Sequence, residues 1–441
     1  MFRAAYTLVW LLVLPIALLR LAWRGRRQPA YRQHVMERLG YFGTAGSFDG
    51  AWWIHAVSVG ETRASEPLVK ALLARDPEAR VLISVMTPTG RQTASELFAR
   101  WGSRVHVTYL PYDLPPLVRR FLRHFRPRVG LLMETEVWPN LIHEAAEAHL
   151  PMALVNARLS ERSARRYARL GRFARATFSR LAGVAAQSRD DARRLAGLGA
   201  PAPVVTGSVK FDVTVPSGQR VLGDSFRSGF GKRPIVLAAS TRDGEEAPLL
   251  DAFLAQAPTE ALLVVVPRHP QRFDEVGALI ASRRVPWARR SQSGPLPAEL
   301  RVWLGDSMGE MFAYYGAADV AIIGGSWQPL GGQNLIEACA VGLPTILGPH
   351  TFNFAEISEL AIAAGAAVRA DEVANGVACA LALIADPTRR AAMSAAALAF
   401  SATHGGATEM TLHLLDSLLE RPGFTPPERP AHAPASMDRR N

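Results

Sequence analysis

Residues 319–354 read DVAIIGGSWQPLGGQNLIEACAVGLPTILGPHTFNF: an apolar strand, a glycine-rich turn, an amphipathic helix and a second apolar strand within 36 residues. This is the layout of a nucleotide site in an α/β domain. Gly331 and Gly332 let backbone approach a ligand closely, and Asn334 stands where a helix is expected to begin. Free N–H groups and the positive dipole end there favour a phosphate by roughly 0.3–2 kcal/mol. Glu337 falls one turn later, within reach of ribose hydroxyls. The plainer alternative is a turn that needs glycine and a first-turn acid that complements the dipole.

Working outward, the same alternation recurs. From Ala51 to Ser208 the apolar runs AWWIHAVS, VLISVM, VHVTYLP, VGLLMET, MALVNAR, GVAAQS and PVVTGS are separated mostly by amphipathic segments, which predicts a parallel sheet covered by helices. The polar, glycine-rich stretch 211–234 reads as an interdomain linker. PIVLAAS, ALLVVVP, RVWLGD, VAIIGG and PTILGP then repeat the pattern. The expected architecture is two Rossmann-like domains facing a central cleft, with ligands beyond the carboxyl ends of the strands. The boundaries are an anchor with a basic flank at 1–32, a first domain at 33–210, the linker, a second domain at 235–420 and a proline-rich disordered tail at 421–441. The first strand of each half also ends in Ser and runs into Gly-Glu, as Ser58 to Glu61 and Ser240 to Glu246.

With 441 residues, two domains of roughly 200 residues each are natural. Two cysteines without a CxxC point to a reducing compartment, and neither HExxH nor Asp-x-Asp occurs, so no protein-held metal or other cofactor is expected. The charge of +11 is concentrated in two places. Arg20, Arg24, Arg26, Arg27 and Arg32 follow the uncharged run 4–19. Arg158, Arg162, Arg165, Arg166, Arg169, Arg172 and Arg175 fall at spacings that put several on one face of a single helix, opposite Tyr167, Leu170, Phe173 and Phe178. Such a face suits an anionic membrane or lipid, or is a solvated face of a core helix. The run 4–19 is slightly short of a span, Pro15 would bend it, and the cations that follow it place the rest of the chain in the cytoplasm. Spanning and surface-lying anchors both remain open; the charge order and the lack of a cleavage site oppose a signal peptide.

Several groups emerge from strand ends. Glu61 follows the first strand and a glycine, placed to accept a proton from a hydroxyl or to stabilise a helix N-terminus. Glu134 and Glu136 leave the strand VGLLM. Arg268 and His269 form a cationic grip for a phosphate or pyrimidine at the tip of ALLVVVP. Lys210 stands at the domain junction, either to neutralise a leaving phosphate or as an exposed linker lysine. Met308, Gly309 and Glu310 are placed to line a base pocket or simply to enter a helix.

Together, WIHAVSVGE, MTPTG, LPYDLP, METEVWPNL, NARLSERS, TGSVKFD, VPRHP, GDSMGEM and the stretch GGQNLIEA to GPHTFNF closely resemble the 3-deoxy-D-manno-oct-2-ulosonic acid (Kdo) transferases of lipopolysaccharide synthesis, collinearly to about residue 415. The resemblance implies a GT-B fold. It also implies transfer of Kdo from CMP-Kdo to a lipid A precursor, lipid IVA, at the cytoplasmic face of the inner membrane. By position it makes Glu61 the proton acceptor and Glu134 and Lys210 transition-state stabilisers. It assigns CMP to Arg268, His269, Met308, Gly309, Glu310, Asn334, Leu335, Ile336 and Glu337. The family often has His where Gln333 stands; an amide still donates a hydrogen bond but cannot become a cation.

An anionic CMP leaving group and an oxocarbenium-like sugar suit these residue types, so inverting single displacement is expected. Arg158, Arg165, Arg169 and Arg172 are the candidates for the acceptor and for inner-membrane phospholipids. Two rivals are a GT-B enzyme or epimerase that uses a UDP-sugar, and a membrane-anchored nucleic-acid-binding protein. The second lacks RRM, KH or zinc patterns, so nucleic acid is not expected as a partner.

Overall fold

The computed structural model describes residues 2–43, 48–292, 296–297 and 299–420. The expected disordered tail, 421–441, lies outside the described residues. Two compact units are present: the chain up to Asp212 joined by residues from Gly406 onward, and Val213–Gly405.

The first unit is built on a seven-stranded parallel sheet. Its strands are β1 (Trp52–His55), β2 (Val81–Val85), β3 (Val105–Tyr109), β4 (Val129–Met133), β5 (Met152–Ala157), β6 (Gly183–Ala186) and β7 (Val204–Val205), in the order β3-β2-β1-β4-β5-β6-β7. Every residue of β1, β2, β4, β5 and β6 is buried, as expected where helices cover both faces. Successive side chains alternate between two cores: Trp53, Leu82, Leu132 and Leu154 enter one with Phe121 and Phe125, while Ile54, Ile83, Leu131 and Val155 enter the other.

The second unit repeats the plan. Its strands β8 (Ile235–Thr241), β9 (Leu262–Pro267), β10 (Trp287–Arg289), β11 (Val302–Leu304), β12 (Val320–Ile323), β13 (Thr345–Leu347) and β14 (Ala367–Arg369) run in the order β10-β11-β9-β8-β12-β13-β14, all parallel. In each sheet the strand order reverses beside the first strand, at β1/β4 and at β8/β12. Ligands of open α/β sheets bind outside the carboxyl ends at such points.

The structure departs from the sequence expectations in several places. Most of the 211–234 segment is a helix, Ser217–Phe230, that buries Phe226 and Phe230 in the second unit and brings Gly223 against the Ala313 carbonyl. Helix Ala407–Leu419, expected in the second domain, packs on the first: Leu412, Leu415 and Leu418 join its core, and Asp212 accepts hydrogen bonds from the N–H groups of Gly406, Ala407 and Thr408. The single basic helix is two, Glu161–Arg169 and Arg172–Phe178, broken at Gly171, whose φ of 51° ends the first. Strands β10 and β14 were not anticipated.

The N-terminal helix runs Phe2–Arg27 through Pro15, longer than 4–19, and by length and composition is sufficient to cross a membrane.

Candidate active site

At the β1/β4 switch point, Ser58 caps helix Val59–Ala64 and Glu61 is its third residue. The carboxylate turns back on its own turn: Val57 N–H donates to Oε2 at 2.8 Å, Ser58 Oγ–H donates to Oε1 at 2.8 Å, and Ser58 Oγ accepts from Glu61 N–H at 3.3 Å. This is a capping box with the acid reaching one residue further back. Capping is therefore part of what Glu61 does. Burial dominates its protonation and pushes its pKa up to about 7, aided by the charges of Glu136 and Glu134 and opposed by the Val57 and Ser58 hydrogen bonds. A carboxyl so placed exchanges protons near neutral pH.

Glu134 directly follows β4 with φ of 56°, a left-handed conformation that is costly for a non-glycine residue. Its Oε1 lies 3.6 Å from Lys210 Nζ, both side chains about a third exposed. Lys210 is carried on the single turn Val209–Phe211, pinned by its buried neighbours Val209 and Phe211. Glu136 accepts from Trp138 Nε1–H at 2.9 Å, and burial raises its pKa as well. Three carboxyls and one ammonium thus gather at one sheet edge. Sequence reasoning missed Asn156, fully buried at the end of β5 with φ of 51°, whose Oδ1 accepts from Val209 N–H at 3.2 Å and so positions the lysine turn. The isolated Asn in MALVNA, a polar residue within an apolar strand, was its signal.

In the second unit the carboxyl ends of four consecutive strands carry the remaining candidates. β11 leads to Met308–Glu310, β9 to Arg268 and His269, β8 to Arg242, and β12 to the glycine-rich loop and Asn334. Burial and then the charges of Arg242, Arg268 and Arg272 lower the pKa of His269, so this edge is strongly cationic. Arg272 is itself committed to Glu246 and Glu275. Arg242 was not singled out from the sequence; its place after the first strand of the second half, matching the segment that holds Glu61 in the first, could have found it.

The loop 324–334 is held from beneath by Glu245. This acid is 1% exposed and accepts from the N–H groups of Gly325 (2.7 Å), Trp327 (3.0 Å) and Arg242 (2.9 Å). The Ser-to-Gly-Glu parallel is therefore a structural parallel: each acid secures the turn after its sheet's first strand. Gly331 has φ of 90°, and a Cβ there would meet Asn353 Nδ2 at 2.3 Å. Gln333 and the Arg242 side chain both pack against Gly325.

The helix after this loop is only Ile336–Ala340, so a macrodipole contributes little. Asn334 Oδ1 instead accepts from Ile336 N–H at 3.0 Å, and its Nδ2 donates to Glu337 Oε1 at 3.2 Å. Leu335 and Ile336 are buried in the core and offer a ligand backbone alone. Glu310 is held by a two-pronged Arg290 contact at 3.1 Å and by Ser307, which leaves Met308, exposed, and Gly309 as the open part of that turn. A surface pocket beside Asp319, Pro344 and Arg390 lies at the opposite, amino-terminal edge of the sheet and touches none of these residues.

Arg158 is exposed after β5, and Arg165, Arg169 and Arg172 are exposed on the two short basic helices, Arg165 pairing with Glu161 at 2.6 Å. No group of three His, Cys, Asp or Glu side chains suited to a metal occurs among the described residues.

Residues 33–213 match the family model of the 3-deoxy-D-manno-octulosonic-acid transferases. The chain is 46% identical over 430 residues to the 3-deoxy-D-manno-octulosonic acid transferase of Bordetella pertussis, covering 95% of this chain and 99% of that protein. It is 36% identical over 430 residues to the enzyme of the same description from Haemophilus influenzae, covering 96% and 100%. Among solved structures it is similar to the UDP-GlcNAc 2-epimerase from Neisseria meningitidis bound to UDP-GlcNAc, with 16% identity, a TM-score of 0.54 and coverage of 83% and 100%. That likeness supports the GT-B type of fold.

Proposed function

Because the chain belongs to the 3-deoxy-D-manno-octulosonic acid transferase family, and is thus a glycosyltransferase of lipopolysaccharide biosynthesis, we propose that it moves Kdo from CMP-Kdo to a lipid A precursor, lipid IVA, with inversion at the anomeric carbon. The observation that carries this is Glu61: a carboxyl at the β1/β4 switch point whose pKa is raised to about 7 by burial. Ionised, it accepts the proton of the acceptor hydroxyl as the new glycosidic bond forms. Glu134 stabilises positive charge developing on the sugar, and Lys210, 3.6 Å from it, negative charge on the departing group. Arg268 and Arg242 receive the CMP anion. The family match and the cationic strand ends support this reading. No cofactor enters; the single phosphate of CMP is neutralised by side chains.

The apolar helix and exposed arginines support association with the inner membrane from its cytoplasmic side, where a lipid acceptor resides. The test incubates the purified protein, in EDTA, with CMP-Kdo and lipid IVA and analyses products by mass and anomeric configuration. Addition of Kdo with inversion is expected. Retention of configuration, a requirement for metal, or tighter binding of UDP than of CMP would overturn the scheme.

A further inference from the structure

We propose that helix Phe2–Arg27 is a one-leaflet anchor that lies in the plane of the membrane, with its Leu8-to-Trp23 face among acyl chains and arginines at both ends on anionic phospholipid headgroups. This rests on the membrane association proposed above and is independent of the transfer chemistry.

The helix has 26 residues, about 39 Å at 1.5 Å per residue, and a mean hydropathy of 2.0 over its most apolar stretch, so length alone would let it cross. Its first three turns, however, are already fixed on the protein. Arg3 Nη1 donates to Glu144 Oε1 at 3.0 Å, Tyr6 O–H donates to Asp113 Oδ2 at 2.9 Å, and Asn140 Nδ2 donates to Thr7 Oγ1 at 3.0 Å. Trp10 packs 5.8 Å from Tyr112, and Phe2 and Tyr6 lie 6.4 and 6.1 Å from Phe173.

The Tyr6 contact is not incidental. Asp113 is fully buried and also accepts from the N–H groups of Asn140 (3.1 Å) and Leu141 (2.7 Å), so pulling Tyr6 away strips a donor from a buried carboxylate. Further along the same face Leu14, Ala17, Leu18 and Leu21 are half-buried at spacings of three and four. Gly25 is buried under Arg32, whose Nη2 donates to Ala22 O at 3.3 Å. The contacts with the sheet domain thus fall on residues 2–10, and the less exposed side of the remaining turns continues the same face.

What remains for a span is too short. Beyond Trp10 only the nine residues Leu11–Leu19 precede Arg20, about 13 Å against a hydrocarbon core of about 30 Å. The outer side is broad instead: Leu8, Val9, Leu12, Ile16, Leu19 and Trp23 are each more than half exposed and share one helical face. Arg20, Arg24, Arg26 and Arg27 are exposed at one end of that face. At the other, Arg172 and Arg175 are exposed on either side of Phe173, the residue that touches Phe2 and Tyr6. A crossing helix would put these two cationic groups on opposite sides of the bilayer. One lying in the plane puts both on the same anionic layer.

The test uses sealed vesicles of phosphatidylethanolamine and phosphatidylglycerol with the full chain bound from outside. Single cysteines are introduced as Ala4→Cys, Leu12→Cys or Arg26→Cys after Cys339→Ala and Cys379→Ser, Ala4 being exposed and off the centre of the apolar face. A membrane-impermeant maleimide should label Ala4→Cys and Arg26→Cys from outside, while vesicles slow labelling of Leu12→Cys by about tenfold or more. Labelling of Ala4→Cys only after lysis would mean a span and overturn the proposal. Equal labelling of Leu12→Cys with and without vesicles, or its protection without vesicles in a chain of dimeric mass, would also overturn it. An epitope tag ahead of Met1 on the unsubstituted chain, expected to bind antibody from outside, gives the same answer without cysteine replacement. Kdo transfer to detergent-dispersed acceptor, measured on the same preparation, reads the proposed reaction alone, so either reading can fail without the other.

Discussion

Replacing Glu61 by glutamine separates what this residue does for chemistry from what it costs the fold. Burial, with Glu136 and Glu134, raises its pKa from 4.5 to about 7 despite the Val57 and Ser58 hydrogen bonds. An acid with a higher pKa folded than unfolded favours the fold while protonated; its contribution is whole below about pH 4.5 and is lost as pH climbs through about 7. The full displacement corresponds to about 3 kcal/mol, and solvent reaching the partly exposed carboxyl reduces this to about 2 kcal/mol. The glutamine keeps both contacts, its oxygen accepting from Val57 N–H and its nitrogen donating to Ser58 Oγ. Urea unfolding should therefore show variant and parent equal near pH 4 and the variant about 2 kcal/mol more stable near pH 8. Turnover should fall by about 10² to 10⁴, and the parent's kcat/KM should rise with pH to a plateau above about 7, a rise the variant lacks. A stability gap that does not change between the two pH values, or turnover within about tenfold of the parent, would refute the assignment of Glu61 as a buried base.

Glu245→Ala leaves two backbone N–H groups of the glycine-rich loop and that of Arg242 without their acceptor; we expect a loss of about 3 kcal/mol or more in urea unfolding and weaker CMP binding by titration, partly restored in Glu245→Gln. Arg268→Ala and Arg242→Ala should each raise the KM for CMP-Kdo by about tenfold or more in steady-state assays, with the acceptor KM unchanged. Changing Arg165, Arg169 and Arg172 together to Glu should lower turnover on bilayer-embedded acceptor while CMP affinity, read by titration, stays the same; equal loss of both would make these arginines structural.

The sheets were legible because strands buried on both faces are uninterrupted apolar runs, and VLISV or LLVVVP can hardly be anything else. Helix Ser217–Phe230 was not, because its three glycines and polar residues carry a linker's composition, while its stability comes from Phe226 and Phe230 meeting Trp303 edge to face. Their spacing of three and four joins the arginines of 158–175 on one face, yet Gly171 with its positive φ divides them, and spacing does not encode that turn. At the candidate site, Glu61, Glu134 and Lys210 were readable as polar residues released from strand ends. Asn156, Glu245 and Arg242 act by holding backbone or by meeting neighbours distant in sequence, and local pattern does not encode that. Leu335 and Ile336 show the converse, since a motif position implies nothing about which way its side chain points.

Helix Ala407–Leu419 completes the first unit from the far end of the chain, and Asp212 holds its entry. A gene fragment ending at Asp212 would consequently leave open to water the slot that Leu412, Leu415 and Leu418 fill, and should aggregate, whereas the stretch 213–405 is one uninterrupted piece suited to separate expression. A usable version of the first unit would have to splice residue 212 directly to residue 406, a join that the Asp212–Gly406 hydrogen bond already brackets.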